Sequence, residues 1–598
     1  MFIKPPESGD NTPENGAQRR RFLKGVGAAG LTGFLASFAG CQGNGDEDDG
    51  SADDGTDGDS GSDGGDSGSD ELPEGAEEVR ELEVAGYPPD NVLQHDTLML
   101  ITEEVRKLGF NINYRGLNRE RQLELFYYSN DEYDIASGGY TGRPDRLDPH
   151  FLLFNNYHSS QTADGNYNWT NFATEETDRL LEEQTRTLDQ DARRDIILEV
   201  QEKLMEIPPG EMPIEHDSLV NVTNTDDFEG FVQVPGLGLK NFWTWTEVTP
   251  TSDQTRLTAS VDLETPWITP LWSNEANLIT QRLTHDKLAR ISREGLPEPW
   301  LAEEWNVSDD NTTLTMPIRD GFTFHDGTPL TAQDVKFTFE YMKEEEIPFF
   351  ASAVAPIESV EAPDDETFVM NLNQPFAPIL TLTLARVHII PEHVWENVPE
   401  ETEVEDPWQW SPTDSEYGLV GSGPFVFNEW RKGDGIILDA NPDHPRVTPG
   451  VDSIFIREIQ SASGVTSALR NKDVDFMIRS SAQPNVLEDL AESEDHLTFT
   501  ATDSVGYDEW SMNTMREPLD KASVRGAMSA MIPKDTIANE IWGGYAIPAH
   551  SPVSPAIDYW YNDNVKKWPE VSQEEAIQML EDDGFIYHEG TLYHDPEA

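Results

Sequence analysis

The chain has 598 residues, room for one large two-lobed domain or several smaller ones. Acidic residues number 113 against 41 basic ones, a formal net charge of −72, and a surface that negative repels nucleic acid and anionic lipid headgroups, which excludes both as direct partners. Aromatics make up 10% of residues and exclude a disordered acidic chain; because the acidic excess runs through segments that also carry core patterns, it reads as adaptation to high salt, where self-repulsion is screened.

Residues 1–40 read as targeting sequence rather than fold. Arg19-Arg20-Arg21-Phe22-Leu23-Lys24 fits a twin-arginine export signal, with Gln18 where Ser or Thr is commoner. The apolar run 25–40 is too short and too Gly-rich to span a bilayer. It ends Phe38-Ala39-Gly40-Cys41, which fits a lipobox, so Cys41 is expected to be the lipidated N-terminus after cleavage. The bland alternative for a lone cysteine is a core residue; with one cysteine no intrachain disulfide forms. Gly25-Val26-Gly27-Ala28-Ala29-Gly30 spells G-x-G-x-x-G, but no strand precedes it and it is not a nucleotide site. Residues 41–80 are almost entirely Gly, Asp, Ser and Glu, a flexible linker that cannot bury enough apolar surface to order itself. Its reach of roughly 30–37 Å suits a leash holding a domain off a membrane.

From there the pattern is α/β. Leu82-Glu83-Val84 predicts a strand, and Ile101, Val105 and Leu108 predict a helix stopped by Gly109. Ile112 and Tyr114 predict a second strand and Tyr133-Asp134-Ile135-Ala136 a third, so the first pair is parallel with a helical crossover. A helix capped by Asp189 buries Ile196, Ile197, Val200 and Leu204. The stretch 256–514 carries many short strands, the turn His325-Asp326-Gly327 and a helix capped by Thr331 with Asp334. Ser572 and Glu575 form a capping box for a helix ended by Gly584, and a hairpin turns at Glu589-Gly590.

Several stretches resemble the peptide- and nickel-type extracellular solute-binding family of ABC importers. Trp300-Leu301-Ala302-Glu303-Glu304-Trp305 and the run from Ile318 through His325-Asp326-Gly327 to Ala332 are similar to its two most specific segments. Pro391-Glu392-His393-Val394-Trp395, Gly421-Ser422-Gly423-Pro424-Phe425, Asn441-Pro442-Asp443, Met512-Asn513-Thr514 and Val524-Arg525-Gly526-Ala527 resemble others. The resemblance implies a two-lobed periplasmic-binding-protein-like α/β fold with a hinge and an interlobe ligand cleft. It implies a small-molecule or peptide ligand, ABC permease and ATPase subunits as partners, and no chemistry on the ligand.

The residues agree that this is not an enzyme. Gly421-Ser422-Gly423 lacks the flanking glycines of a nucleophile elbow, and no H-E-x-x-H, P-loop or EF-hand loop occurs. His588 and His594 flank the hairpin without a third ligand, so neither metal nor cofactor is expected. His325-Asp326 reads as a turn rather than a catalytic dyad. For the ligand site, aromatic walls with a few fixed polar groups are the usual requirement. Tyr507, Trp510 and Asn513 lie where the family chain crosses between lobes and are expected to face the cleft, with Tyr140 and Asp145 approaching from the other lobe. Peptide-binding relatives carry an aspartate near this point that pairs with the ligand's α-amino group. Here Arg143 stands in its place and Asp145 follows, while Asp148-Pro149 shapes the turn. Sequons at Asn168, Asn221, Asn306 and Asn311 are expected on surface loops if used.

The order of the segments departs from the family. The pieces that close its chain come first here: Leu108-Gly109-Phe110-Asn111-Ile112, Tyr133-Asp134-Ile135, Asp178-Arg179-Leu180-Leu181, Arg193-Arg194 and Glu229-Gly230-Phe231. Its early segment arrives only at Trp300. A circular permutation follows, with the old ends fused near Pro250 and new ends opened in a surface loop. It assigns 81–232 and 515–598 to one split lobe and 233–514 to the other; two unrelated domains in series, or an added C-terminal extension, are the alternatives. The functional expectation is a monomeric, lipid-anchored binding protein on the extracellular face of the membrane, capturing a small solute such as a peptide by hinge closure for an ABC importer. The alternatives are a ligand sensor for a signalling receptor, or a carrier of oligosaccharide or a metal chelate.

Overall fold

The computed structural model describes residues 72–596 apart from 90, 129–131, 164–165, 263–264, 266, 273–274, 397, 399–405, 416, 481 and 569–570. Arg19, Arg20, Cys41 and most of the linker lie outside the described residues.

The first unit is the parallel pair read from the sequence. Strand Leu82–Gly86 lies beside Ile112–Gly116, Leu82 opposite Ile112, and on its other side beside Ile135–Ala136. Helix Val92–Arg106 joins the pair and buries Leu98, Ile101 and Val105 along one stripe. Gly109, at φ +89°, ends the connection. A Cβ there would fall 2.7 Å from the backbone nitrogen of Leu592, so only glycine lets the C-terminal hairpin close on this turn. That hairpin pairs Phe585–His588 with Thr591–His594, and the latter also pairs with Glu77–Glu78.

One long strand, Glu211–Asn224, serves two sheets. Its first half pairs with Tyr507–Met512 and Ala546–Pro548. Its second half pairs with Leu497–Asp503 and Phe476–Met477. Tyr507–Met512 leads on through Ile135–Ala136 to Leu82–Gly86, while Phe476–Met477 leads through Arg256–Val261 and Ser453–Glu458 to the hairpin Phe425–Arg431/Gly435–Ala440. Two strands therefore carry the chain between sheets, the first near Asp217 and the second at 504–506.

The cores follow the same division. The largest packs Leu257, Ala259 and Ile454 with Trp300, Phe324, Phe339, Phe368 and Trp395. A second packs Leu82, Val84, Ile101, Val105 and Ile112 with Trp510, Val524, Met528, Leu580 and Leu592. Helices Ala522–Ala530 and Gln573–Glu581 thus bury their apolar faces in one core with the N-terminal strands. The sequence-drawn divisions at 232/233 and 514/515 fall past the crossing points, because 218–224 already pairs with 497–503 and Tyr507–Met512 with Ile135–Ala136.

Local signals hold where caps decide them. Thr331 with Asp334 and Ser572 with Glu575 each form a reciprocal capping box. Asp189 caps helix Gln190–Glu206 by accepting from the Ala192 amide. Gly584 closes the last helix at φ +85°. Asp148 does more than shape a turn: it caps helix Pro149–Tyr157 and pairs with buried Arg193. His325 and Asp326 part company, His325 Nε2 meeting the Gly423 carbonyl oxygen at 3.0 Å and Asp326 meeting His393 at 2.7 Å. The sequons at Asn168 and Asn221 are not on surface loops. Both are buried, their amides donating to main-chain carbonyls in segments the fold brings together.

Candidate ligand-binding cleft

Where the two strands cross between sheets they flank a cavity of about 680 Å³. Its floor is 217–221 of the long strand, which places Asp217 and Asn221 in the wall. The turn Thr141-Gly142-Arg143-Pro144 closes one side; Trp272, Arg282 and Phe349 come from the opposite side, and Arg479 with Gln483 completes the rim. The turn approaches closely: a Cβ on Gly142 would lie 2.5 Å from the Ser504 hydroxyl at the second crossing, which would have to turn aside. A small recess of about 40 Å³ branches off, sharing Arg143, Arg282 and Phe349 with the main cavity and adding Asp145, Lys287, Arg386 and His388.

Of the residues expected at the site, Asp145 alone borders this space. It lies 3.4 Å from Arg143. Burial acts to raise its carboxyl, and the Arg143, Arg386 and Arg146 guanidiniums outweigh that and hold it below the usual range. Trp510 does not face the cavity. It is fully buried opposite Met212, because alternation along Tyr507–Met512 points Trp510 and Met512 into the second core and Tyr507 to the other face. Asn513 is buried too, donating to the Tyr133 carbonyl at 3.3 Å.

Tyr140 and Tyr507 do meet, as cross-strand partners with ring centroids 5.2 Å apart, but beneath the cleft rather than in its wall. They belong to a buried polar cluster centred on Glu211. The Tyr507 hydroxyl donates to Glu211 Oε1, Asn156 Nδ2 donates to both at 3.1 Å, and the Tyr140 hydroxyl donates to Asn156 Oδ1 at 3.0 Å. Glu215 and Asp508, paired farther along the same two strands past a bulge, form a second carboxyl pair. Burial pushes the Glu211 carboxyl up to about 7 against the hydrogen bonds from Tyr507, Glu509, Asn156 and Tyr157. Burial, reinforced by Asp508, pushes Glu215 well above the ordinary range.

A pH prediction follows with its sign. The folded chain keeps a proton on Glu211 that the unfolded chain releases near 4.5, so this stabilisation is fully present below pH 4.5 and is lost as pH rises through about 7. Glu211→Gln stays neutral and can still accept from Asn156 and Tyr507. Urea unfolding should find it no more stable than the parent at pH 4.5 and more stable at pH 8, by up to about 3 kcal/mol. A variant that is less stable at pH 8 would count against a proton retained on Glu211.

Sequence reasoning missed Arg282, Lys287, Arg386 and Arg479 as lining residues. A signal existed for Arg386: with His388 it interrupts Ala385-Arg386-Val387-His388-Ile389-Ile390, an otherwise apolar run. The family-like Trp300 segment is explained by a neighbouring network outside the cleft, in which the Trp300 indole donates to Asp286 at 2.7 Å and Arg290 pairs with the same carboxylate at 3.0 Å.

The description of bacterial extracellular solute-binding proteins, family 5 (middle region), matches residues 297–596. A Brucella ovis protein whose name assigns it to peptide binding in ABC transport is 31% identical over 259 residues, 42% of this chain and 45% of its own length. The oligopeptide-binding protein AppA of Bacillus subtilis is 27% identical over 296 residues, 48% of this chain and 51% of its own. The chain spans about half the length of the curated relatives it matches. Among solved structures, NikZ from Campylobacter jejuni in complex with Ni(L-His) aligns at a TM-score of 0.44 and 21% identity over 58% of this chain and 66% of its own. HbpA2 from Haemophilus parasuis aligns at 0.45 and 19%, over 55% and 66%. With the family match covering half of its residues, the chain belongs to the bacterial extracellular solute-binding proteins of family 5.

Proposed function

We propose that this chain is the solute-binding component of an ABC importer, anchored by lipid on Cys41 to the extracellular face of the membrane and exported through the Arg19-Arg20 signal. It captures a small solute, a peptide, and hands it unchanged to permease and ATPase subunits. The observation that carries this reading is the cavity of about 680 Å³ at the two strand crossings, a size suited to enclosing a small ligand. The crossings near 217 and 504–506 are a natural hinge, since few residues need change φ and ψ for the sheets to close on a ligand. The names of the Brucella and Bacillus relatives favour a peptide.

We read the lobes as circularly permuted. Residues that precede the family match, from Val79 to Ile214, share one core with Leu519 to Leu592, which lie at the end of that match. One lobe is then built from 81–232 with 515–598 and the other from 233–514, with the junctions adjusted to the strand crossings. The leash joins the split lobe.

One measurement tests the functional reading. Intact-mass spectrometry of protein taken from the membrane fraction should find a chain beginning at lipid-modified Cys41, and native spectra should release a peptide of a few residues. A chain that retains residues 1–40, or one that carries a non-peptide solute, would overturn the corresponding half of the proposal. Binding of the released peptide should raise the melting temperature; at 100 times its dissociation constant it adds about 2.7 kcal/mol of stability.

A further inference from the structure

Folding divides the four sequons into two kinds. Asn168 and Asn221 are 1% and 2% exposed. The Asn168 amide donates to the His158 and Phe172 carbonyls at 3.2 and 2.9 Å, and the Asn221 amide to the Met477 and Ile478 carbonyls, both at 3.2 Å. Asn221 lies on a strand paired on both sides and stands in the cavity wall, so a sugar there would fill the ligand's place. Asn306 and Asn311 share one hairpin instead. Strand Asn306–Val307 pairs with Thr313–Pro317, Asn306 opposite Thr315 and Val307 opposite Leu314. It is the outer strand of a four-stranded sheet, and no strand among the described residues pairs on its far side. Asn306 is exposed, and its amide donates only to the exposed Glu304 carboxylate, at 3.0 Å. Asn311 sits in the turn at φ +59°, its main-chain N–H donating to the Ser308 carbonyl at 2.9 Å. Its side-chain amide makes no hydrogen bond among the described residues.

We propose that this hairpin is the N-glycosylation site of the chain, with sugar on the side-chain nitrogens of Asn306 and Asn311 and none on Asn168 or Asn221. The inference rests on the export reading above. An exported chain meets a glycan transferase outside the membrane, and the twin-arginine route delivers it already folded, so exposure in the folded state selects among the sequons. In the transfer, Asn Nδ2 bonds to C1 of the first sugar as the bond from C1 to a phosphate oxygen of a lipid-linked glycan donor breaks. The bonding pair leaves with the phosphate, the nitrogen gives one proton to a base of the transferase, and nothing is oxidised or reduced. The transferase has to draw the sequon away from its neighbours. At 306–308 that means opening a two-residue ladder on a sheet edge, and at 311–313 releasing the Thr313 hydroxyl from Asn371, to which it donates at 3.0 Å. At Asn168 and Asn221 it means parting interior segments. Edges and turns open at far lower free energy than the core does.

The test takes protein from the membrane fraction of its own cells, digests it with trypsin and reads the peptides by mass spectrometry, which also reports whether the chain begins at Cys41. Peptide 294–319 holds both hairpin sequons, while 147–179 and 204–240 hold Asn168 and Asn221 singly. Peptide 294–319 should carry saccharide mass in most copies, and the other two should appear only at their bare mass. Asn306→Gln combined with Asn311→Gly, the glycine keeping the left-handed turn, should remove all of the saccharide and leave the urea midpoint unchanged. A chain that begins at Cys41 with 294–319 bare overturns the glycan site and leaves export standing. A chain that keeps residues 1–40 with every peptide bare overturns both. Sugar on 147–179 or 204–240 overturns the selection by exposure, since the transferase then met an unfolded chain. Saccharide that persists on 294–319 in the double variant sits on a hydroxyl and overturns the N-linkage.

Discussion

A chain ending at residue 514 should keep the core around Leu257, Phe339 and Trp395 and lose the sheet around Leu82–Gly86. Of the 31 buried residues in the second core, 16 lie beyond residue 514 among the described residues, from Leu519 to Leu592. Burying one large aliphatic or aromatic side chain is worth about 1.5–3 kcal/mol, so removing this set withdraws far more than the 5–15 kcal/mol that hold a domain together. The polar ties go with it. The Trp568 indole donates to the Met205 carbonyl at 3.1 Å, Arg525 Nε to the Pro208 carbonyl at 3.0 Å, and the Trp542 indole to Thr97 at 3.3 Å. Hydrogen exchange reads the result: Leu82–Gly86 and Ile112–Gly116 should lose protection while Arg256–Val261 keeps it, and residues 515–598 supplied as a separate chain should restore it. Protection retained at Leu82–Gly86 in the truncated chain would mean that 72–232 folds alone, and the two-domains-in-series reading would replace permutation.

Much of this arrangement was legible in the residues because it is encoded locally. The caps at Thr331, Asp189 and Ser572, the stop at Gly109 and the parallel crossover each need only a few neighbouring positions to specify them. The cleft wall was not. Trp510 looked like a wall residue because it sits where the chain crosses, but which face of a six-residue strand meets the cleft depends on what packs on each side, and that includes helix Val92–Arg106, some four hundred residues away. The basic lining fails to announce itself for the same reason: Arg143, Arg282 and Arg386 are far apart in sequence and share a wall only once the strands have crossed. The buried sequon at Asn221 is a third case, an ordinary strand residue until the distant segment at Met477 arrives to accept its amide proton.

Replacing Arg193 with Met should cost about 3–5 kcal/mol at neutral pH, the penalty for stranding a buried charge. Arg193 and Asp148 are both buried and meet in a two-pronged contact, Nη1 to Oδ2 at 2.9 Å and Nη2 to Oδ1 at 2.6 Å. Gln184 accepts from the same guanidinium at 3.1 and 3.0 Å, and its face covers Trp560 at 5.3 Å. Met can replace the stem against Trp560 but not the charge. Asp148 must stay near the backbone, since its Oδ1 also accepts from the His150 amide at 2.9 Å and caps helix Pro149–Tyr157. Burial acts to raise the Asp148 carboxyl, and Arg193 outweighs it and holds the group below the ordinary carboxylate range. The parent therefore draws stability from this pair above the ordinary carboxylate pKa of about 3.9 and loses it as pH falls further. Without Arg193 burial is opposed mainly by His150, the carboxyl moves up, and the variant's deficit grows as pH rises. Urea unfolding of parent and variant should thus differ little at pH 4.5 and most at pH 7.5. Arg193→Lys should recover only part of the loss, because an ammonium cannot reproduce the fork. Asp148→Asn combined with Arg193→Met should be less damaging than Arg193→Met alone, since no charge is then left behind. A deficit below about 1 kcal/mol at both pH values would show that Asp148 reaches water in the folded chain and that the pair does not hold these helices together.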